Sequence, residues 1–252
     1  MISVDLNSDI GEGFGRYEFG TDESIVHEVT SVNIACGFHA GDPVIMSKTV
    51  KLAMKYSRSI GAHPSFPDLM GFGRREMVLS DEEIRDYMIY QLGSLHAFLR
   101  CNGGKMTHVK PHGALYNMAT YDSKIANSIV QAIHDFDRTL IVVGLFGSEL
   151  IEASKKKGLR FANEVFADRA YNDDGTLVSR KIDGAVLEDI DEIVKRAVSM
   201  VKDGIVKSVN GKEIKVKADT ICIHSDTPNA PEMAKNLREA LLKAGLEVKR
   251  LI

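Results

Sequence analysis

At 252 residues, 44% hydrophobic and 27% charged, the chain is long enough to bury a full core and too evenly mixed for a disordered or membrane-spanning class. A formal net charge of -3 removes the electrostatic case for nucleic acid or an anionic membrane as partner. Three cysteines without a CxxC (Cys36, Cys101, Cys222), an N-terminus without a signal pattern and no apolar run near ~20 residues together point to a cytoplasmic protein.

Strand and helix patterns then alternate along the chain. Ile2–Leu6 reads as a strand that runs into Asn7, Asp9 and Glu12, and a helix pattern follows over Asp22–Thr30. Ser31–Ile34 is a second strand running into His39 and Asp42, where Gly-Asp-Pro opens a helix over Pro43–Tyr56. Ser59–Ala62 leads into His63. The helix Ser80–Arg100 starts with an N-cap serine and an acid three places on, and Ile84, Tyr87, Met88, Leu92, Leu95 and Leu99 give it one apolar stripe. Thr107–Val109 runs into Lys110 and His112, followed by a helix over Asp122–Phe136.

Leu140–Val143 and Ser148–Lys157 form the next strand and helix. Phe161–Phe166 spans Glu164 and leads to Asp168 and Arg169, then to a long loop over Ala170–Ile182 and a helix over Glu188–Lys202. Asn210-Gly211 centres a hairpin over Val206–Val216. Thr220–Ile223 runs into His224 and Asp226, Pro231–Ala244 is the last helix, and Leu246–Leu251 is a short terminal strand.

Seven βα units in succession imply one α/β domain over residues 1–252 with a parallel sheet. A closed barrel of about seven strands leaves no edges, and an open doubly wound sheet is its rival. Either way, the carboxyl ends of parallel strands share one face, where active sites form. Six polar clusters fall at those ends, which is the pattern of an enzyme.

Alternation in the first strand puts Asp5, Asn7 and Asp9 on one side, where carboxylates can hold a metal or act as a general base. Gly11, Gly13 and Gly15 lack the spacing of a dinucleotide fingerprint, and no P-loop, HExxH or G-x-S-x-G occurs. His39 sits in a segment with Gly37, Ala40 and Gly41 and has little structural reason to be there, whereas Asp42 is an N-cap or a catalytic acid with equal weight. His63 and Lys110 each precede a proline, which aims the side chain where its strand ends. His108 lies four residues before His112, but Pro111 rules out a shared helical face, so His108 reads as a core residue. Lys110 is a barrel-core cation or an electrophile for a carbonyl, and Arg74 can bind a carboxylate or phosphate. His27, His96 and His134 fall on helices away from strand ends and read as non-catalytic.

The segments Asp5-Leu-Asn-Ser-Asp-Ile-Gly-Glu-Gly, Ser31-Val-Asn-Ile-Ala-Cys-Gly-Phe-His-Ala-Gly-Asp, Ile60-Gly-Ala-His-Pro-Ser-Phe-Pro-Asp, Gly71-Phe-Gly-Arg, His108-Val-Lys-Pro-His-Gly-Ala-Leu-Tyr-Asn and Glu164-Val-Phe-Ala-Asp-Arg resemble the LamB/YcsF family over nearly the whole chain. The resemblance departs at His224-Ser225-Asp226 and at Ala170 after Asp168-Arg169, where the family usually has glycine. It implies an irregular (β/α) barrel of the glycoside hydrolase/deacetylase type. It also implies ATP-dependent opening of the lactam of 5-oxo-L-proline to L-glutamate, together with 5-oxoprolinase subunits B and C. On their convergence at strand ends, the expected catalytic set is Asp9, Glu12, His39, His63, Lys110 and His112, and the expected substrate-binding set is Asn7, Asp42, Arg74, Asp168, Arg169, His224 and Asp226. A divalent metal on Asp9, His39 and His63 is one route to activated water. ATP, as cosubstrate, is expected to bind with the partner subunits. The competing function is a free-standing metal-dependent amidohydrolase or carbohydrate deacetylase.

Overall fold

The structure, a computed structural model, describes residues 2–17, 22–223 and 229–251. Its strands are β1 (Ser3–Ile10), β2 (Ser31–Ala35), β3 (Ser59–His63), β4 (His108–Val109), β5 (Ile141–Leu145), β6 (Phe161–Phe166), β7 (Ile205–Lys207), β8 (Glu213–Lys215), β9 (Thr220–Cys222) and β10 (Glu247–Val248). Its helices are α1 (Asp22–Val26), α2 (Pro43–Lys55), α3 (Asp81–Cys101), α4 (Gly113–Tyr121), α5 (Ser123–Phe136), α6 (Glu149–Lys157), α7 (Ile190–Lys202) and α8 (Ala230–Lys243).

Strands β1 to β6 pair in parallel in chain order, and β9 bridges β6 and β1. That closes a barrel of seven parallel strands, so the open sheet is excluded. β10 adds to the outer edge of β1, and β7–β8 is the hairpin anticipated from Asn210-Gly211.

Two layers hold the fold. Outward-facing Leu6, Ile10, Val32, Ile34, Ile60, Ala62 and Val109 are fully or nearly fully buried against the helices, and the main hydrophobic core is this ring between strands and helices. The inward-facing residues, in contrast, are largely polar. Asp5 accepts from Thr30 and from Thr220 at 2.7 and 2.6 Å, and also from Ser31. Asn7 donates to Thr220 Oγ1 at 2.7 Å and to Glu164 Oε1 at 3.0 Å, and Asn33 donates to both Asn7 and Asp9 at 2.8 Å. Buried polar groups persist only when hydrogen-bonded, so the interior folds as a connected network.

β1 runs four residues beyond the end expected at Leu6, because Asn7 and Asp9 pair in the ladder with β2 rather than turning. The helix expected to reach Thr30 ends at Val26, and Thr30 bonds Asp5 and Leu6 in the barrel wall instead. Helix α4 has no counterpart among the expected elements. Among the described residues, no helix is long and apolar enough to cross a membrane.

Candidate active site

The strand ends converge on a cavity of about 620 Å³, lined by Asp9, Glu12, His63, Lys110 and His112 together with Arg74, Arg169 and Arg180. β1 supplies Asp9 and leads to Glu12, β3 supplies His63 as its last residue, and Lys110 follows β4 directly. Pro64 and Pro111 fix these ends, as expected for the residue before a proline.

Lys110 is the electrostatic centre. Its Nζ lies 3.1 Å from Asp9 Oδ1, 2.9 Å from Glu164 Oε1 and 3.0 Å from Cys222 Sγ, and it donates to Asn7 Oδ1 at 3.2 Å. Burial pulls the lysine pKa down, but the carboxylates of Asp9 and Glu164 outweigh it and hold the ammonium well above its usual value. Burial likewise keeps the Cys222 sulfur a thiol. The sequence shows Glu164 only as part of a strand. Its position two places before Phe166, on the inward face, is the signal that could have found it.

Beside Lys110, Glu12, His39, His63 and His112 offer one ligand atom each, all within 4.8 Å of one another and all buried. His39 Nδ1 faces the Ser65 hydroxyl at 3.0 Å, which itself donates to Phe66 O. His63 Nδ1 faces Lys110 O at 2.7 Å, and His112 Nε2 faces Phe72 O at 2.9 Å. A carbonyl can only accept, so His63 and His112 donate outward, and Ser65 is left to accept from His39. Three inner nitrogens therefore turn their lone pairs toward each other and toward Glu12 Oε1, which lies 3.1 Å from His39 Nε2. His63 Nε2 and His112 Nδ1 are 2.9 Å apart. Burial drives His39 and His112 well below the usual imidazole pKa, leaving them neutral. Such a set can hold a metal ion. Asp9, named with His39 and His63 as a metal candidate, lies next to the cluster, with Oδ2 3.3 Å from His63 Nε2.

The remaining residues separate by placement. Arg74 lines the cavity with its guanidinium 5.0 Å from the Phe72 ring, while neighbouring Arg75 is tied to Asp68. Arg169 lines the cavity too, but it donates to Val178 O at 2.6 Å and Ala185 O at 3.2 Å, bracing the loop after β6. Burial lowers its pKa to about 10, so it remains a cation. Asp42 caps α2, accepting from Val44 N and Ile45 N, and its second oxygen accepts from Gly15 N at 2.9 Å. Asn7, Asp42 and Asp168 are not among the cavity-lining residues, and Asn7 reaches the site through Lys110. His224 and Asp226 lie outside the described residues. His108 is a core residue, bonded to Asn33 Oδ1 at 2.8 Å and held neutral by burial, its pKa about 3.

A family model described as LamB/YcsF family matches residues 4–252. The 5-oxoprolinase A subunit from Campylobacter jejuni is 54% identical over 98% of this chain and 97% of its own length. The crystal structure of a lactam utilization protein from Thermus thermophilus superposes with a TM-score of 0.94 at 46% identity, covering 99% of this chain and 100% of that one. A family 4 carbohydrate esterase from Streptomyces lividans covers 98% of this chain and 91% of its own, with a TM-score of 0.50 and 10% identity, a likeness of fold alone.

Proposed function

The chain belongs to the LamB/YcsF family, and on that premise we propose that it is the A subunit of an ATP-dependent 5-oxoprolinase, opening the lactam of 5-oxo-L-proline to L-glutamate. The observation that carries this reading is the meeting on one cavity of a buried ammonium, the carboxylates of Asp9 and Glu12 and the imidazoles of His63 and His112, with His39 clustered behind them, in a chain this similar to named 5-oxoprolinase subunits.

An unstrained five-membered lactam is a poor electrophile, and its ring opening needs an activated carbonyl, an activated water and a proton for the leaving nitrogen. Lys110, held as an ammonium, stabilises charge developing on the lactam oxygen or on a phosphoryl group placed there. Asp9 lies between Lys110 and His63 and takes the proton from the attacking water. Arg74 and Arg169 face the same cavity and bind the substrate carboxylate. The donor set Glu12, His39, His63 and His112 fits a divalent metal of the zinc class, since each histidine has its outer nitrogen fixed by an acceptor. With an ion held there, a water's pKa would fall to about 7, and Asp9 would stand next to it as the base.

In this reading ATP is hydrolysed with subunits B and C, which phosphorylate the lactam oxygen, and the assembly works in the cytoplasm, where its unpaired cysteines stay reduced. Measuring glutamate released from 5-oxoproline plus ATP, for this chain alone, the two partners alone and all three mixed, tests it. Activity is expected only in the full mixture. ATP-independent hydrolysis by this chain alone would replace the reading with a free-standing amidohydrolase.

A further inference from the structure

Tyr116 lies in the first turn of α4, one helical turn beyond His112, and its ring packs edge-on against Phe166 at 5.9 Å between centroids. It lines the cavity and is 5% exposed. Its hydroxyl makes no well-formed hydrogen bond to any described protein group, and neither does Glu164 Oε2. Glu164 and Tyr116 are nevertheless neighbours: burial first, and then the charge of Glu164 and a loose contact with it, push the phenol well above its ordinary pKa. The group is therefore a neutral O–H donor in a closed site.

A buried hydroxyl without a well-placed partner is disfavoured in a folded protein, and where one persists it usually serves a ligand or a catalytic step. Most other polar side chains around Lys110 are tied. Asn7, Asn33 and Thr220 are each bonded to at least two neighbours, and Glu164 Oε1 is bound by both Lys110 and Asn7. The Tyr116 hydroxyl, held only by its poorly aligned contact with Glu164, shares both Glu164 and the Phe166 ring with the ammonium.

We propose that Tyr116 is a catalytic residue of this site, its hydroxyl donating to the carbonyl oxygen of a cyclic amide beside the Lys110 ammonium. This rests on the lactam-opening reading above and deepens it. The two donors form an oxyanion-binding pair. Lys110 brings the charge, and Tyr116 brings a donor that the folded protein leaves without a well-formed bond until an oxygen arrives. As water adds to the carbonyl carbon, both bonds strengthen toward the oxygen that gains charge, the lactam oxygen itself or an oxygen of the phosphoryl group it carries, so the effect falls on kcat more than on binding. No proton is transferred by Tyr116, because its raised pKa keeps the phenol intact. The proton for the departing nitrogen comes from elsewhere in the cluster.

The Tyr116→Phe variant removes the oxygen alone and keeps the ring against Phe166. It is assayed in the reconstituted three-subunit enzyme for glutamate release, and by thermal unfolding of the isolated chain. A fall in kcat of about 10²-fold is expected, with KM changed less than a few-fold and an unfolding temperature equal to or above that of the parent chain. A structural role would not give that combination. Unchanged kcat would overturn the proposal, as would a lowered unfolding temperature with the lost activity restored at lower temperature. If the unaltered chain itself released no glutamate in the full mixture, the lactam-opening reading would fail, and Tyr116 with it. If the unaltered enzyme is active and the variant equally so, only the assignment of Tyr116 fails.

Discussion

His108 shows how one residue ties pH to stability. Its imidazole fills the space beside Gly61 and bonds Asn33, and burial lowers its pKa from 6.5 to about 3. In the unfolded chain it takes up a proton below about pH 6.5, while in the fold it stays neutral to about pH 3. The unfolded state then binds more protons, so the contribution of His108 is complete above about pH 6.5 and is lost as pH falls through that window. The parent chain and a His108→Asn variant, unfolded in urea from about pH 8 to about pH 4, should show a stability gap that is constant above about pH 6.5. Below it, the gap should shrink by about 1.4 kcal/mol per pH unit. A gap independent of pH would show that His108 titrates alike in both states. The role of His108 as a core residue was legible from Pro111, which breaks any helix joining it to His112. The part played by Glu164 was not, because an acid inside an apolar strand shows its partner only when β4 and β6 face each other across a barrel.

Among the elements, the junction of β3 and β4 leaves no room for an added side chain at Gly61. A Cβ on Gly61 would lie 2.3 Å from two atoms of the His108 ring, far inside van der Waals contact. Gly61→Ala must therefore displace either the ring or the β3 backbone, and His63 stands two residues further on. The expected result is a destabilisation of about 1–3 kcal/mol with partial loss of activity, read by chemical denaturation and glutamate release together. An unchanged midpoint would mean that β3 and β4 can separate without cost. Most elements were legible from periodicity and caps: the capping box at Ser80 and the Asp42-Pro43 start both stand. Helix α4 was not. Its N-cap, His112, makes no side-chain capping bond, and Gly113 follows in a left-handed conformation at φ 58°, where an added Cβ would lie 2.4 Å from Gly73 O. A helix that begins for the sake of tertiary contact carries no local start signal.

At the scale of the whole molecule, the barrel was readable because seven βα repeats leave few topologies. Convergence of the strand ends followed from the fold. The balance within the site did not, since it depends on which nitrogen of each histidine meets a carbonyl. Lys110 sits between two carboxylates, the histidine cluster lies beside Asp9 and arginines line the same cavity, so positive and negative groups share a single site. Asp9 touches both halves, bonded to Lys110 and close to His63. The most direct measurement is therefore the steady-state rate of ATP-dependent glutamate release by the three-subunit mixture containing Asp9→Asn, a substitution that keeps shape and removes charge. A loss of at least about 10²-fold in kcat is expected, with the fold retained by circular dichroism. Full activity from a correctly folded Asp9→Asn chain would contradict it and move the chemistry away from this cavity.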